Sequence, residues 1–205
     1  MTRNYASLAF TPEVKALQER YGSRHAYARI EQQSISGELT KRELDFIQAR
    51  DSFYIASIGE NGFPYIQHRG GPKGFLRPVD STTLGFVDFR GNKQYITAGN
   101  TATRPKVSLI LMDYPNQTRM KIYAEVEVLD VNDHSELAAF LTPKGYENAV
   151  EQIILLHVAA RDWNCPKHIL PRYTAEEIDP LLAPLHEQIE RLQSEIKQLK
   201  IDQGI

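Results

Sequence analysis

The chain has 205 residues, enough for one domain with a proper core, or one domain plus an appendage. With 41% hydrophobic and 24% charged residues it has the make-up of a soluble globular protein, and a formal charge of −2 supplies no net field for a nucleic-acid backbone. A single cysteine, Cys165, excludes an intramolecular disulfide and suits a reducing cytoplasm. Met1-Thr2-Arg3-Asn4-Tyr5 holds no apolar h-region, so no signal peptide is expected. Apolar runs such as Ile153-Ile154-Leu155-Leu156 are far short of a membrane span, and a cytoplasmic chain with no membrane partner is expected.

In chain order, Thr11-Pro12-Glu13 reads as a helix start: a capping hydroxyl, proline at the first helical position, then an acid near the positive end of the dipole. Val14, Leu17 and Tyr21 recur at helical spacing, and Gly22 ends the element. A second helix is expected over 24–32, with Tyr27 and Ile30 inward, followed by a loop over Ser34 to Gly37. Thr40-Lys41-Arg42-Glu43 matches a capping box, and Leu44 and Ile47 stripe the helix over 41–49.

From Asp51 the pattern becomes β-rich. Residues 53–58 and 64–68 flank the tight-turn signal Glu60-Asn61-Gly62, with Pro64 at the strand start, where a missing N–H is tolerated. A Gly/Pro-shaped loop follows over 70–78, then strands over 84–89 and 106–112, with a mixed stretch (93–100) holding at most a helical turn. Residues 120–128 alternate apolar and polar, giving a long half-exposed strand. A short helix is expected over 134–141, and the β-branched content of 150–158 favours a sixth strand. Six strands with hairpin links predict an antiparallel barrel closing its own edges.

The C-terminal stretch is a heptad seam: Ile178, Leu182, Leu185, Ile189, Leu192, Ile196 and Leu199 are spaced 4-3-4-3-4-3. A lone amphipathic helix of this length is marginal in water, so the seam needs a partner, either another subunit or the barrel itself. The expected organisation is therefore a helical segment over 1–50, a barrel over 51–172 and an amphipathic helix over 173–205.

No metal site is expected, because the six histidines show no HExxH, and Cys165 with His168 supplies only two ligands. There is no Gly-x-Ser-x-Gly elbow, no Walker loop and no dinucleotide fingerprint. What remains is a ligand cradle. Gln67, His68, Arg69 and Gly70 end one strand, while Arg90, Asn92 and Lys93 cap another beside Gly91. Arginine suits bidentate phosphate contact, lysine acts as a point charge, and glycine lets backbone N–H groups come close to an anion. Wet loop ends are basic for no functional reason as well, and composition alone leaves both readings open.

The runs Phe53–Ile58, Asn61–Pro64, Gln67–Phe75, Phe89–Lys93 and Asp162–Ile169 resemble the pyridoxamine 5'-phosphate oxidase-like flavin-binding family. His68-Arg69-Gly70-Gly71-Pro72 and Trp163-Asn164-Cys165-Pro166-Lys167-His168 are the most specific parts. The resemblance covers roughly residues 40–172 and implies a split β-barrel; with the elements read above, the expected fold is mainly β, a six-stranded antiparallel split β-barrel with N-terminal helices and a C-terminal coiled-coil-like helix. It also implies a homodimer binding FMN at the subunit interface. By that resemblance Gln67, His68 and Arg69 line the flavin site, Lys93 contacts phosphate with help from Arg90 and Asn92, and Trp163 and His168 adjoin the ring. The implied activity is oxidoreduction of a small molecule, with the donor left open between NAD(P)H and a deazaflavin and no catalytic residue named. The C-terminal Arg/His segment that holds pyridoxal phosphate in the authentic oxidases has no equivalent here, so vitamin synthesis is not expected. The alternatives are a haem-binding or haem-degrading split barrel, which needs an axial ligand such as His157 or His168, and a non-catalytic flavin-binding interaction protein.

Overall fold

The computed structural model describes residues 4–33, 38–91, 93–147, 150–163 and 167–202. The expected loop at Ser34 to Gly37, and Asn92 and Cys165, lie outside them. The chain divides into two compact units, one formed by Met1–Asp113 and Thr118–Pro166 and a smaller one by Tyr114–Gln117 and Lys167–Ile205.

The first unit opens with helices α1 (Tyr5–Ala9), α2 (Pro12–Arg20), α3 (Arg24–Gln32) and α4 (Lys41–Gln48). Its strands are β1 (Ser52–Ile58), β2 (Pro64–Gly70), β3 (Arg77–Pro78), β4 (Thr83–Phe89), β5 (Lys106–Asp113), β6 (Thr118–Asp130) and β7 (Val150–Trp163). Helix α5 (Ile96–Thr103) precedes β5, and α6 (Ser135–Leu141) precedes β7. Every pair is antiparallel, in the order β2-β1-β5-β6-β7-β4-β3. All six expected strands are present. The seventh, β3, is a two-residue strand in the Gly/Pro-shaped stretch, and the mixed stretch after Lys93 is a two-turn helix.

The sheet curls, because one core is shared by strands far apart in the ladder. Phe53 and Ile55 of β1 pack with Leu109 of β5, Ile122 of β6, Leu156 of β7 and Phe86 of β4. The Phe53 ring meets Phe86 edge-on at 5.4 Å and stacks on Phe75 at 5.6 Å. A second cluster covers the outer face of β4 and β7, where Val87, Ile153 and Leu155 pack under Ala138 and Leu141 of α6.

The expected closure of the edges is corrected: β2 and β3 end the ladder without pairing with each other. Side chains bridge the split instead. Arg69 of β2 forms an ion pair with Asp88 of β4. Helix α5 covers the inner ends of β1 and β2, with Asn100 Nδ2 donating to Ser57 Oγ at 3.0 Å and Thr97 Oγ1 donating to Gln67 Oε1 at 2.7 Å.

The N-terminal helices start and stop as their caps predict: Thr11 accepts from Val14 N–H, and Gly22 leaves α2 at φ +75°. In α3 the expected inward turn of Tyr27 and Ile30 is corrected, and the apolar residues at the end of α2 are exposed as well. Leu17, Tyr21, Tyr27 and Ile30 are exposed. An ionic stitch sets the rotation of these helices: Lys15 and Arg24 both pair with Glu31, and Arg24 donates to the buried Gln18 at 3.0 Å.

In the second unit, helix α7 (Ala175–Asp202) carries the heptad seam. Gln117 Nε2 donates to the Ile169 carbonyl at 2.6 Å, and the Arg172 guanidinium lies over Tyr114 at 5.0 Å.

Candidate functional site

A cavity of about 230 Å³ lies at the split of the sheet. Its walls come from the inner face of β2, the end of β4 and the approach to α5: Tyr65, Gln67 and Arg69, then Asp88 and Phe89, then Gly91 and residues 93–98, with Glu151 of β7.

Strand alternation decides which part of the β2 motif enters it. Arg69, Gln67 and Tyr65 lie opposite Phe53, Ile55 and Ser57, whose side chains are buried, so these three face inward. His68 lies opposite Tyr54, projects from the other face, and meets the Tyr54 ring edge-on at 5.4 Å.

Arg69 is held by Asp88 and sits 5.9 Å from the centre of the Phe86 ring. Its Nε is buried with no hydrogen-bond partner among the described residues. An orphaned guanidinium N–H is costly unless a ligand accepts from it.

The opposite wall is built by strained backbone. Lys93 and Tyr95 adopt left-handed conformations, with φ +59° and +51°, where non-glycine residues are uncommon. This tight coil starts α5 at the cavity. The residue before the helix, Tyr95, provides no side-chain cap, so the first-turn N–H groups at Ile96, Thr97 and Ala98 keep their capacity for an anion. Tyr95 Oη instead donates to Glu151 at 2.8 Å, and that bond holds the phenol above its ordinary pKa. The wall's two carboxylates are thus already engaged, Asp88 with Arg69 and Glu151 with Tyr95, leaving Lys93 and the helix start as positive features.

The sequence-derived candidates divide. Gln67, Arg69 and Lys93 come together around the cavity. Gly70 ends β2 opposite Ser52, and Arg90 stands beside the wall without lining it. His68 is on the outer face and Asn92 is outside the described residues. Trp163 belongs to a different cluster: Nε1 donates to Glu43 Oε1 at 2.9 Å, its ring meets Phe46 edge-on at 4.9 Å, and Arg42 lies over it at 4.5 Å. His168 is in the second unit, at φ +68°. His157, an axial candidate for haem, has Nε2 at 2.8 Å from Glu127 and Nδ1 at 3.4 Å from Thr83 Oγ1.

Sequence reasoning missed Asp88, Tyr95, Thr97 and Glu151. Alternation counted from the apolar residues of β1 would have separated Arg69 from His68. No local signal marks Glu151, which arrives from β7. Among the described residues no group of three or more His, Cys, Asp or Glu side chains is placed to share a metal ion, and no helix is long and apolar enough to cross a membrane.

A family model described as pyridoxamine 5'-phosphate oxidase matches residues 39–170. No curated protein matches the chain. Among solved structures, HupZ from Group A Streptococcus is 15% identical with a TM-score of 0.51, over 66% of this chain and 99% of that one. A candidate pyridoxamine 5'-phosphate oxidase from Lactobacillus delbrueckii is 20% identical with a TM-score of 0.48, over 62% and 95%. An FMN-binding protein from Syntrophomonas wolfei is 13% identical with a TM-score of 0.46, over 72% and 97%. The likeness to HupZ is one of fold.

Proposed function

The chain belongs to the pyridoxamine 5'-phosphate oxidase family, and from that premise we propose that it is a homodimeric FMN-dependent oxidoreductase acting on a small molecule. The observation that carries the reading is the buried, unsatisfied Nε of Arg69 in a cavity shared with Lys93 and the uncapped start of α5. Lys93 and the first-turn amides of α5 would hold the phosphate, while Gln67 and Arg69 would meet the ring system. Bound FMN supplies hydride and electron transfer, with NAD(P)H as the proposed donor. The chain's own part is electrostatic: the Arg69 guanidinium favours negative charge beside it, in a cavity lined in part by Phe89 and Tyr65.

A cavity of about 230 Å³ falls below the roughly 300–1,000 Å³ of a complete small-molecule site. That shortfall supports completion by a second subunit. So does the outer face of β1 and β2, where Tyr54, Ile58 and Ile66 are exposed beside Phe63 of the connecting turn. His68 lies on that face and would serve the assembled dimer. The single cysteine and the lack of a membrane-spanning helix among the described residues support a cytoplasmic setting.

The test is an FMN titration of the purified chain, read by absorbance and flavin fluorescence. Arg69→Ala and Lys93→Ala are each expected to weaken FMN about tenfold or more, while Trp163→Phe leaves affinity unchanged. Full FMN binding by Arg69→Ala would falsify the assignment. Anaerobic mixing of the loaded protein with NADH or NADPH then reads the donor, and a flavin that neither bleaches is not an NAD(P)H oxidoreductase.

A further inference from the structure

We propose that α7 pairs with α7 of a second copy as a parallel, in-register, two-stranded coiled coil. The inference rests on α7 alone and stands apart from the flavin reading. The seam residues Leu182, Leu185, Ile189, Leu192, Ile196 and Leu199 are each between 37% and 58% exposed, a continuous apolar stripe on a 28-residue helix. An apolar stripe of this length leaves the helix marginal in water until something covers it.

The chemistry of the stripe selects the occupant. Spacing assigns Leu182, Ile189 and Ile196 to the a positions and Leu185, Leu192 and Leu199 to the d positions of successive heptads. β-Branched residues at a with leucine at d favour two parallel strands. The charges agree. Glu195 falls at g, and Lys200 falls at e of the following heptad. In a parallel pair, g of one helix faces the next e of the other, so Glu195 and Lys200 meet twice across the seam. Antiparallel pairing sets e against e and g against g, and the two never meet. Gln188 and Gln193, the preceding g and e positions, are neutral, Leu181 and His186 form the first such pair beside the prolines, and Asp202 at the last g has no following e to meet.

The interior prolines fit as well. Pro180 and Pro184 fall at f and c, on the outer side of the coil, so neither enters the seam. They interrupt the ladder near the start of α7, which places the well-bonded heptads between Leu185 and Leu199. The outward positions there are polar: Glu190, Arg191, Ser194, Lys197 and Gln198. A helix lying on an apolar surface of its own chain would need no complementary g and e charges.

Disulfide trapping in the full chain tests this, with Cys165→Ser removing the native thiol. Leu185→Cys and Leu199→Cys, at opposite ends of the seam, are each expected to convert most of the chain to a covalent dimer on mild oxidation. Ser194→Cys, on the outer side, is expected to stay at single-chain mass. In the Leu199→Cys background Glu195→Lys is expected to reduce the yield, and adding Lys200→Glu to restore it. Absence of trapping in both single variants overturns the proposal. If a chain carrying Leu182→Cys and Leu199→Cys together, an a and a d position at opposite ends, is then trapped, one end of the seam has met the other, which establishes an antiparallel pair in place of the parallel one. Failure of the charge exchange to restore yield overturns the parallel register as well. FMN titration of the same variants, at protein concentrations where the parent is fully dimeric, is expected to match the parent, so the two readings fail separately.

Discussion

Glu43 shows how one side chain serves several levels of structure. As the third helical residue of α4 it accepts from the Thr40 N–H at 2.9 Å, closing the capping box. Its other oxygen accepts from Trp163 Nε1 at 2.9 Å and lies 3.3 Å from Arg161 Nε, which ties the helix to the end of β7. Burial alone would raise its pKa. The Thr40 hydroxyl, the indole N–H and the Arg161 charge outweigh that and bring it down to about 2 from 4.5. A carboxylate with a depressed folded-state pKa contributes stability that is complete above its unfolded value and fades as pH falls through the folded one. Glu43 should therefore add on the order of 3 kcal/mol at neutral pH, lost between pH 4.5 and about 2. Urea unfolding of the parent and Glu43→Gln at stepped pH checks this. The variant is expected to be less stable at pH 7, with the two curves converging at pH 2. A difference that persists unchanged at pH 2 would assign the loss to packing.

At the scale of elements, β4 is buried on both faces, and so reads as a continuous run, Leu84-Gly85-Phe86-Val87, with no alternation. Leu84 and Phe86 enter the main core, while Val87 turns to the cluster under α6. Gly85 lets strand and helix come close: a Cβ there would lie 2.9 Å from both Leu141 Cδ1 and Val79 Cγ2. Leu141 is fully buried and has little room to give, whereas Val79 is partly exposed and can yield. Gly85→Ala should cost about 1–3 kcal/mol by overpacking, seen as a lower urea midpoint with unchanged slope. FMN affinity of the folded fraction should hold, because the clash lies outside the cavity walls. An undiminished midpoint would show that α6 can move off β4 at no cost.

For the whole molecule the decisive feature is the split. The ladder starts at β2 and ends at β3, the curl brings β2 to β4, and the gap is spanned by the Arg69–Asp88 pair with α5 inside the ends of β1 and β2. A ligand seated there ties the two ends of the sheet, and it stabilises the folded chain by mass action, about 2.7 kcal/mol at a hundred times its Kd. If a second subunit completes the site, FMN affinity should strengthen as protein concentration rises through the dimerisation range. Thermal unfolding with and without excess FMN, at several protein concentrations, reads both effects. A rise in Tm that ignores protein concentration would place the whole site in one chain.

Much of this protein was legible locally. Caps such as Thr11-Pro12 and Thr40 with Glu43, the turn at Gly62, the alternation of β6 and the heptads of α7 depend on neighbours a few residues away, so residue order alone determines them. The same holds for the motifs that identify the family. The curl of the sheet decided the rest. It brought Asp88 to Arg69 and Glu151 to Tyr95, and it carried Trp163 to Glu43, 120 positions earlier in the chain. It turned His68 away from the cavity that receives Arg69, because adjacent strand residues face opposite sides and only the buried side of β1 says which is inner. It left Leu17, Tyr21, Tyr27 and Ile30 in solvent, since helical spacing shows that a stripe exists and not whether anything covers it. Short-range backbone and side-chain preferences are written residue by residue. Which distant groups meet is set by how the sheet closes its core, and that emerges only when the whole chain packs.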